Sequence, residues 1–521
     1  MPLETSPIVK LEGVITHPYD LAVATARTCY SSKGIVKVED VSKTEKARVL
    51  RDKIADSTRE AGHLTTRQHA HFVFSLDKIS RQFIWSFLHS HPFYNSEQVS
   101  QRYVKVSPGN YAVPEMSEKH ATLYKATLEE QTRDYHKLIE LSLPEVRRRY
   151  FEIFPFRKSN EKDYEAGLLK RAYENARYVL GVATHAYMYH TVSALTLMRY
   201  HRLMNYFEAS EETRLVVTMM VAEVKKIDPE FGRELIDPIP LEDTPEYRVL
   251  AELSAGNQLG RAAFIREFDA SLGDYRYAKL LDYKVKAEQS VATAVRSVLG
   301  LTRDELSDDA AIEVVMSPAK NSYFTDTLNV NTMTKLSRAL FHPHYTFRKK
   351  ISHTADSQDQ RHRMVPGSRP VLSRHYTGEI DYIAPMVIRD TPELAEVFHD
   401  SMVKSFDAIN KLIHDGAKID DAMYLLPNAF PIRFEESGDL LNLHHKWKAR
   451  SCYTAQEEIY FSTIEELEQV QDVHPKLAKH ILAPCYLRYE GGVKPYCPEG
   501  ERFCGVRVWK QKLDAYKGRI L

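Results

Sequence analysis

The segment His342-Pro343-His344-Tyr345-Thr346-Phe347, written HPHYTF, has a counterpart early in the chain, His69-Ala70-His71-Phe72-Val73-Phe74, written HAHFVF. Both segments place histidines before a short run of aromatic and β-branched residues, a composition that favours a strand. Two copies in a chain of 521 residues, which is too long for one core, indicate that a structural unit occurs twice.

Further matches between the two halves occur in the same order along the chain. Residues 175–180 (NARYVL) parallel residues 421–426 (DAMYLL), and residues 209–212 (ASEE) parallel residues 455–458 (AQEE). Chance does not readily preserve such an order, so the matches indicate a duplication. The stretch 227–247 is rich in proline and acidic residues and predicts the boundary. The predicted domains are 1–240, 245–480 and a cysteine-containing C-terminal extension, 481–521.

Helical periodicity dominates the chain, with short strand-like segments between the helices. It is clear in DLAVATARTCYSS near position 20, in 125–154 and in 172–207, whereas 343–352 alternates like a strand. The expected fold class is therefore α+β and helix-rich, with two tandem domains that each contain a small mixed sheet and helices.

The overall charge excludes several function classes. Lys plus Arg and Asp plus Glu both number 71, so no global basic field is available to hold a nucleic acid or an anionic membrane. No apolar run approaches the ~20 residues that a bilayer requires, and the N-terminal MPLETSPIVKLEG lacks the apolar core of a signal peptide. We expect a cytoplasmic protein that binds small anions at local sites.

Two cationic segments stand out in this neutral chain. Gln358–Met364 (QDQRHRM) precedes Pro366 and Gly367, so we expect it at the end of a helix and into a loop. Its guanidinium groups suit phosphate or a carbonyl-rich ring, although an isolated Arg-His-Arg is more often a solvated turn. In the first half, Ser100-Gln101-Arg102-Tyr103 would direct a hydroxyl and a guanidinium at one anion from an extended segment.

Taken together, the two segments resemble the signature of the flavin-dependent thymidylate synthases, Gln-x-x-Arg-His-Arg followed by Ser and Ser-x-Arg-Tyr. The strand-like pair at 69–74 and 342–347 and the helical pairs at 175–180 and 421–426 and at 209–212 and 455–458 are similar to segments of that family too. The resemblance implies two fused family domains that transfer a one-carbon unit from a reduced folate to carbon 5 of a deoxyuridine nucleotide, with FAD as cofactor and NADPH as a further co-substrate. Because family members are homotetramers, it also implies a homodimer of this chain.

Each half lacks residues of the signature that the other half keeps. The first half has Ser90-His91-Pro92 in place of Arg-His-Arg, and the second half has a displaced Ser373-Arg374-His375-Tyr376. Met423 replaces the arginine found at Arg177, and Met204 replaces the one found at Arg450. The resemblance therefore implies one composite site between the two repeats.

The resemblance assigns roles to the residues that remain. Arg450 is the expected catalytic residue, stabilising charge on the pyrimidine, and Arg102 and Arg177 are expected at the phosphate. The full expected substrate set is Gln98, Ser100, Arg102, Arg177, Gln358, Arg361 and Arg450. The expected flavin set is His342, His344, Arg361, His362 and Arg363.

Two departures from the signature leave alternatives open. The Asn-x-Arg that helps to hold flavin in the family reads Ser193-Ala194-Leu195 in one half and Asp439-Leu440-Leu441 in the other, and Gln98 replaces a Glu. The alternative is a divergent homologue that binds flavin or nucleotide and modifies a different pyrimidine, or has lost catalysis. A structural or partner-binding protein is the third class.

The cysteines are concentrated near the C-terminus. Cys29 stands alone, whereas the others are Cys452, Cys485, Cys497 and Cys504. Four thiols could ligate zinc. Because the spacing lacks a Cys-x-x-Cys pair, the sequence favours buried or free thiols and no metal site.

Overall fold

The computed structural model describes residues 3–15, 17–206, 208–254 and 260–521. The strands are β1 Ile8–Val14, β2 His71–Ser80, β3 Tyr94–Gln98, β4 His185–Ser193, β5 Ala278–Tyr283, β6 His344–Ser352, β7 Gly367–Ser368 and β8 Pro431–Asp439. The helices of the first half and the boundary are α1 Pro18–Thr28, α2 Glu45–Glu60, α3 Arg81–His89, α4 Glu118–Ile153, α5 Glu165–Ala176, α6 Ala194–Leu203, α7 Ser210–Ile227, α8 Pro245–Ser254 and α9 Arg261–Leu272. The remaining helices are α10 Ala287–Leu299, α11 Asp308–Met316, α12 His353–Asp359, α13 Leu372–His375, α14 Met386–Arg389, α15 Pro392–His414, α16 Ile419–Ala422, α17 Leu440–Arg450, α18 Glu457–Val473, α19 Pro475–Ala478, α20 Pro484–Glu490 and α21 Leu513–Tyr516.

The strands form two sheets with the same topology. Their orders are β1-β2-β4-β3 and β5-β6-β8-β7, and the ladders that join the strands are antiparallel. The predicted strand repeats provide β2 and β6, each paired with the strand that follows the central helices of its half. The helix-rich α+β prediction with two tandem sheets is confirmed, but the sheets are antiparallel and not mixed.

A buried hydrogen-bonded triad occurs once in each repeat. Ser80 caps α3, and its hydroxyl donates to Glu212 (2.6 Å), which also accepts from the Tyr424 hydroxyl (2.8 Å). In the second repeat, Ser352 caps α12 and donates to Glu458 (2.6 Å). Glu458 accepts from the Tyr178 hydroxyl as well (2.7 Å). The tyrosine comes from the other half of the chain in both cases.

The chain folds into two compact units that exchange segments between the repeats. Unit 1 contains residues 1–130, 181–260 and 407–426, and unit 2 contains residues 131–180, 261–406 and 427–521. The exchange explains the crossed tyrosines, because residues 131–180 carry Tyr178 and residues 407–426 carry Tyr424. The units divide the chain differently from the sequence repeats, and the domain boundaries predicted from sequence stay predictions.

Each unit has its own apolar core. In unit 2 one side of the sheet packs on α10, α11 and α17, where Phe347, Trp447 and Val291 are fully buried. In unit 1, α1 and α2 pack through Tyr19, Val23 and Ala55. None of the described helices is long and apolar enough to cross a membrane.

One helical expectation was wrong. The segment 172–207, which the periodicity assigns to helix, contains β4 between α5 and α6. In β4, Ala186, Met188 and His190 are buried, while Tyr187 and Tyr189 are exposed. Residues 186–189 (AYMY) show no alternation of apolar and charged side chains and so fit either period, and pairing with β2 and β3 makes the segment a strand.

Candidate functional site

The Arg-His-Arg segment leaves the end of α12, as the sequence predicted. Ser352 begins this helix by accepting from the Ala355 amide, and α12 ends at Asp359. The chain then turns, since the Arg361 amide donates to the Gln358 carbonyl (3.3 Å) and the His362 amide donates to the Asp359 carbonyl (3.0 Å). The turn leaves Arg361 exposed beside a buried Asp359.

Arg450, at the end of α17, contacts this turn directly. Its Nε donates to His362 Nε2 (2.8 Å), and a terminal nitrogen donates to the Gln358 carbonyl (3.0 Å). His362 accepts this hydrogen bond only when Nε2 carries no proton. Burial together with the charge of Arg450 holds the pKa of His362 well below its usual value, which favours this neutral form. The predicted catalytic arginine and the predicted Gln-x-x-Arg-His-Arg segment therefore meet, although 88 residues separate Arg450 from His362.

A fully buried charge cluster lies beneath the turn. It joins five side chains, none of them exposed to solvent: Lys349, Asp359, Glu436, Lys446 and Glu466. Lys349 Nζ lies 2.8 Å from Asp359, 2.9 Å from Glu466 and 3.3 Å from Glu436. Lys446 pairs with Asp359 (3.1 Å) and with Glu436. The two ammonium groups lower the pKa of Asp359 against the effect of burial.

Unit 1 fills the same positions with uncharged side chains. Counting from the matched helix caps and strands, the five equivalents are Leu76, Phe87, His190, Tyr200 and Met220, and all are buried. His190 Nε2 lies 3.2 Å from the Tyr200 hydroxyl, and burial lowers the pKa of His190 to about 3. The charge cluster is thus a property of the repeat that keeps the Arg-His-Arg segment.

Sequence reasoning missed this cluster, although a signal for it exists. Lys349 and Glu436 occupy inward positions on β6 and β8, between residues that are buried in the same alternation. A charged side chain at a core position of a strand requires a buried partner. Asp359 and Lys446 also lie within one helical turn of predicted site residues, so the cluster anchors both Gln358–Arg363 and Arg450.

The predicted flavin histidines lie on and beside β6. His342 lines an open groove of about 580 Å³ together with Lys284, Lys286 and Arg338, and hydroxyl groups of α10 form one wall. Three cationic side chains and several hydroxyls match the donors that a dinucleotide pyrophosphate requires, so these residues fit FAD. His344 is exposed and its Nδ1 lies 3.3 Å from the Ser437 hydroxyl.

The first-half motif lies in unit 1 and is not extended, which corrects the prediction. Gln98 ends β3, and the following residues turn because the Ser100 carbonyl accepts from the amides of Tyr103 (3.2 Å) and Val104 (3.0 Å). The Ser100 hydroxyl accepts from the Arg102 amide (3.2 Å). Ser100 also lines a cavity of about 350 Å³ with Lys78, Lys105 and His185.

Arg177 belongs to unit 2, with the second-half residues. It is buried in a short 3₁₀ turn, and its carbonyl accepts from the Asn428 side chain (3.0 Å). The next residue, Tyr178, is bonded through Glu458 to Ser352 at the start of α12. Unit 2 therefore contains Arg177, Gln358, Arg361 and Arg450 together, drawn from both repeats.

Each repeat also contains a segment that has lost its part of the signature, residues 90–92 (SHP) in the first half and residues 373–376 (SRHY) in the second. In unit 1, His91 stacks edge-on against Tyr200, and burial lowers the pKa of His91 to about 4. In unit 2, Arg374 lies on α13 between a buried Ser373 and His375, and the Tyr376 ring stacks on Phe406.

Comparison with known proteins gives a consistent result. The family model described as thymidylate synthase complementing protein matches twice, over residues 11–230 and 279–476. A flavin-dependent thymidylate synthase of Clostridium tetani is 27% identical over 224 residues, which are 42% of this chain and 83% of that protein. Another, of Geobacter sulfurreducens, is 30% identical over 178 residues, covering 33% of this chain and 73% of the relative.

Proposed function

We propose, from the premise that the chain belongs to the flavin-dependent thymidylate synthase family, that it transfers a one-carbon unit from a reduced folate to carbon 5 of a deoxyuridine nucleotide. The observation that carries the proposal is the contact of Arg450 with His362 and the Gln358 carbonyl. These two contacts hold the guanidinium at the end of α17 against the turn that follows α12. A fixed guanidinium of this kind can stabilise negative charge that develops on a pyrimidine ring.

The nucleotide site we propose is composite and occurs once per chain. Arg177, Gln358, Arg361 and Arg450 form its unit 2 part, with Arg177 at the phosphate. The retained signature of the first repeat, Gln98, Ser100 and Arg102, completes it. The proposal is supported by the complementary losses of the two repeats, since each missing arginine of one half is present in the other.

We assign flavin binding to His342, His344, Arg361, His362 and Arg363. FAD supplies the hydride-transfer chemistry when bound, and NADPH and the folate are co-substrates in this assignment. The groove beside His342 supports it, because its lysines and Arg338 provide positive charge for the pyrophosphate. Neutral His362 can stack against a ring while it orients Arg450.

A specific observation favours the divergent homologue as the second candidate. Asp439, at the position of the family asparagine, uses its carboxylate to cap α17, accepting from the Asn442 amide (3.0 Å) and side chain (2.7 Å). The side chain at this position is therefore engaged in the helix cap, which supports an altered mode of flavin binding in this repeat. A homologue that binds flavin or nucleotide without forming thymidylate would retain the Arg450 contacts and lack the product.

The test is product formation by the purified full-length chain. The chain, supplied with FAD, NADPH, a methylene-bearing reduced folate and dUMP, is expected to form dTMP, measured by mass spectrometry. Arg102→Ala and Arg450→Ala should weaken dUMP binding by roughly ten- to hundredfold, since a lost charge-assisted hydrogen bond costs about 1.5–3 kcal/mol. Arg374→Ala is the matched control and should bind as the parent does.

Two outcomes would decide against the proposal. Absence of dTMP with normal dUMP and FAD binding would replace it with the divergent homologue. If both Arg102→Ala and Arg450→Ala bind dUMP as tightly as the parent does, the proposal of a composite site is wrong.

A further inference from the structure

A group of cysteines in unit 2 converges on one enclosed cavity. Cys452 follows α17, Cys485 lies in the first turn of α20, and Cys497 and Cys504 lie in the loop beyond it. All four line the same cavity, which is closed by Pro484, Pro498, Phe503 and Val508 among others. Cys29, the remaining cysteine, is exposed at the end of α1 in unit 1.

The number and kind of these side chains match one ligand class. Structural zinc takes four ligands in tetrahedral geometry, and Cys₄ is a common set. The four thiols come from three segments: the end of α17, the start of α20 and the loop beyond it, with Cys452 33 positions before Cys485. Ordinary packing requires no such convergence of thiols from separate segments on one point.

The loop around the cavity has little regular structure to hold it. Between α20 and α21 the chain forms only short 3₁₀ turns, at Gly500–Arg502 and Val508–Lys510. Its apolar side chains join a buried cluster with α18, in which Val508 is buried beside Ile459 and Tyr460, and Cys497 and Cys504 pack against that cluster. The cysteines of this cluster are free thiols and form no disulfide that would tie the loop to the helices.

The thiols are arranged here as neutral groups and not as a formed metal site. Cys452 Sγ lies 3.2 Å from the Thr454 hydroxyl, and Cys504 Sγ donates to the Val506 carbonyl (3.6 Å). Accordingly, no group of three or more His, Cys, Asp or Glu in the described parts of the chain has the geometry of a metal site. Binding would require these thiols to lose their protons and rotate toward the cavity centre, to sulfur–metal distances of about 2.3 Å.

Positive charge is available next to the cavity for the resulting thiolates. Arg488 lies on α20, and its Nε donates to the carbonyl of Pro495 (2.8 Å), in the loop that carries Cys497. Arg519 is held in place over the Tyr460 ring, at 4.7 Å from its centroid. Two guanidinium groups balance the charge that four thiolates around one divalent cation leave.

We propose that Cys452, Cys485, Cys497 and Cys504 bind one structural zinc ion, which reverses the expectation of no metal site. The ion displaces up to four thiol protons to solvent, and no electron transfer is involved. The ion ties the loop after α20 to the end of α17. Since Cys452 lies two positions after Arg450, the zinc site also restrains the end of the helix that carries Arg450.

The experiment measures zinc in the untagged full-length chain, expressed with zinc in the medium and dialysed exhaustively. Elemental analysis is expected to find one zinc per chain. Cys497→Ser and Cys504→Ser, at partly exposed positions, should each lower the zinc content at least fivefold. Cys29→Ser is the matched control and should retain it.

Cobalt provides a readout that does not depend on the serine variants folding. The parent protein, stripped of metal and supplied with Co²⁺, should show thiolate-to-cobalt charge-transfer absorption and the visible bands of a tetrahedral site. Zinc below 0.2 per chain in the parent, or no such bands, would overturn the proposal. So would an intact mass that shows disulfides among these cysteines in freshly isolated protein.

Discussion

Replacing Lys349 by methionine tests whether the buried charge cluster holds unit 2 together. Lys349 Nζ makes contacts of 2.8, 2.9 and 3.3 Å with three carboxylates, and none of these groups is exposed. Without it, one ammonium group, that of Lys446, faces the three carboxylates instead of two. Removing one partner from a buried ionic group costs about 3–5 kcal/mol. A native domain is stable by only 5–15 kcal/mol, so the loss should be large.

The assay is urea unfolding followed by circular dichroism and tryptophan fluorescence. Trp447 reports on the cluster itself, because its Nε1 donates to Glu466 (2.6 Å). Leu76→Met, at the equivalent buried position of unit 1, is the control and should cost under about 1.5 kcal/mol. Adding Glu466→Gln to Lys349→Met removes one of the stranded charges, so the double variant should lose less than the sum of the single losses. If Lys349→Met unfolds at the same urea concentration as Leu76→Met, the reasoning is refuted.

Two further predictions concern buried carboxyl groups. Burial raises the pKa of Glu457 from 4.5 to about 7. The folded form therefore holds this proton more tightly, so the contribution of Glu457 to stability should be full below pH 4.5 and fall by about 3 kcal/mol as the pH rises through 7. Glu457→Gln should flatten urea midpoints measured between pH 5 and 8, and an unchanged slope would contradict the assignment. Tyr178→Phe and Tyr424→Phe each remove one donor from Glu458 or Glu212 and should each cost about 1–3 kcal/mol in thermal unfolding. A loss in only one of them would show that the triads are not equivalent.

The repeated strands of the fold were predictable because short sequence patterns, present in both halves, specify them. The aromatic alternation of 71–74 and 344–347 led correctly to β2 and β6, and the helix ending before Arg361 followed from Pro366 and Gly367. β4 was not predictable, because the residues AYMY (186–189) within HAYMYHTVS fit a strand or a helix, and only the neighbouring strands of the sheet decide. The assignment of residues 131–180 to unit 2 and of residues 407–426 to unit 1 was not predictable either, because hydrophobic periodicity does not show which unit a segment joins.

The contact among three motif residues agrees with the sequence, whereas the side chains that support them were not predicted, and the roles of the motif residues stay predictions. Arg450, His362 and Gln358 were identified by resemblance, and the structure brings them into contact. The cluster of Lys349 and its partners was missed because pattern rules assign charged residues to the surface. Its members come from two strands and three helices, and contacts over such separations are set by the tertiary fold.

The number of dUMP molecules that each chain binds tests the central claim most directly. The claim is that two degenerate repeats retain one complete nucleotide site. Equilibrium dialysis of the FAD-loaded full-length chain with labelled dUMP measures that number. We predict one dUMP per chain in the parent and in Arg374→Ala, with affinity reduced ten- to hundredfold in Arg450→Ala. Two equivalent sites per chain, or one site that is unaffected by Arg450→Ala, would contradict the account.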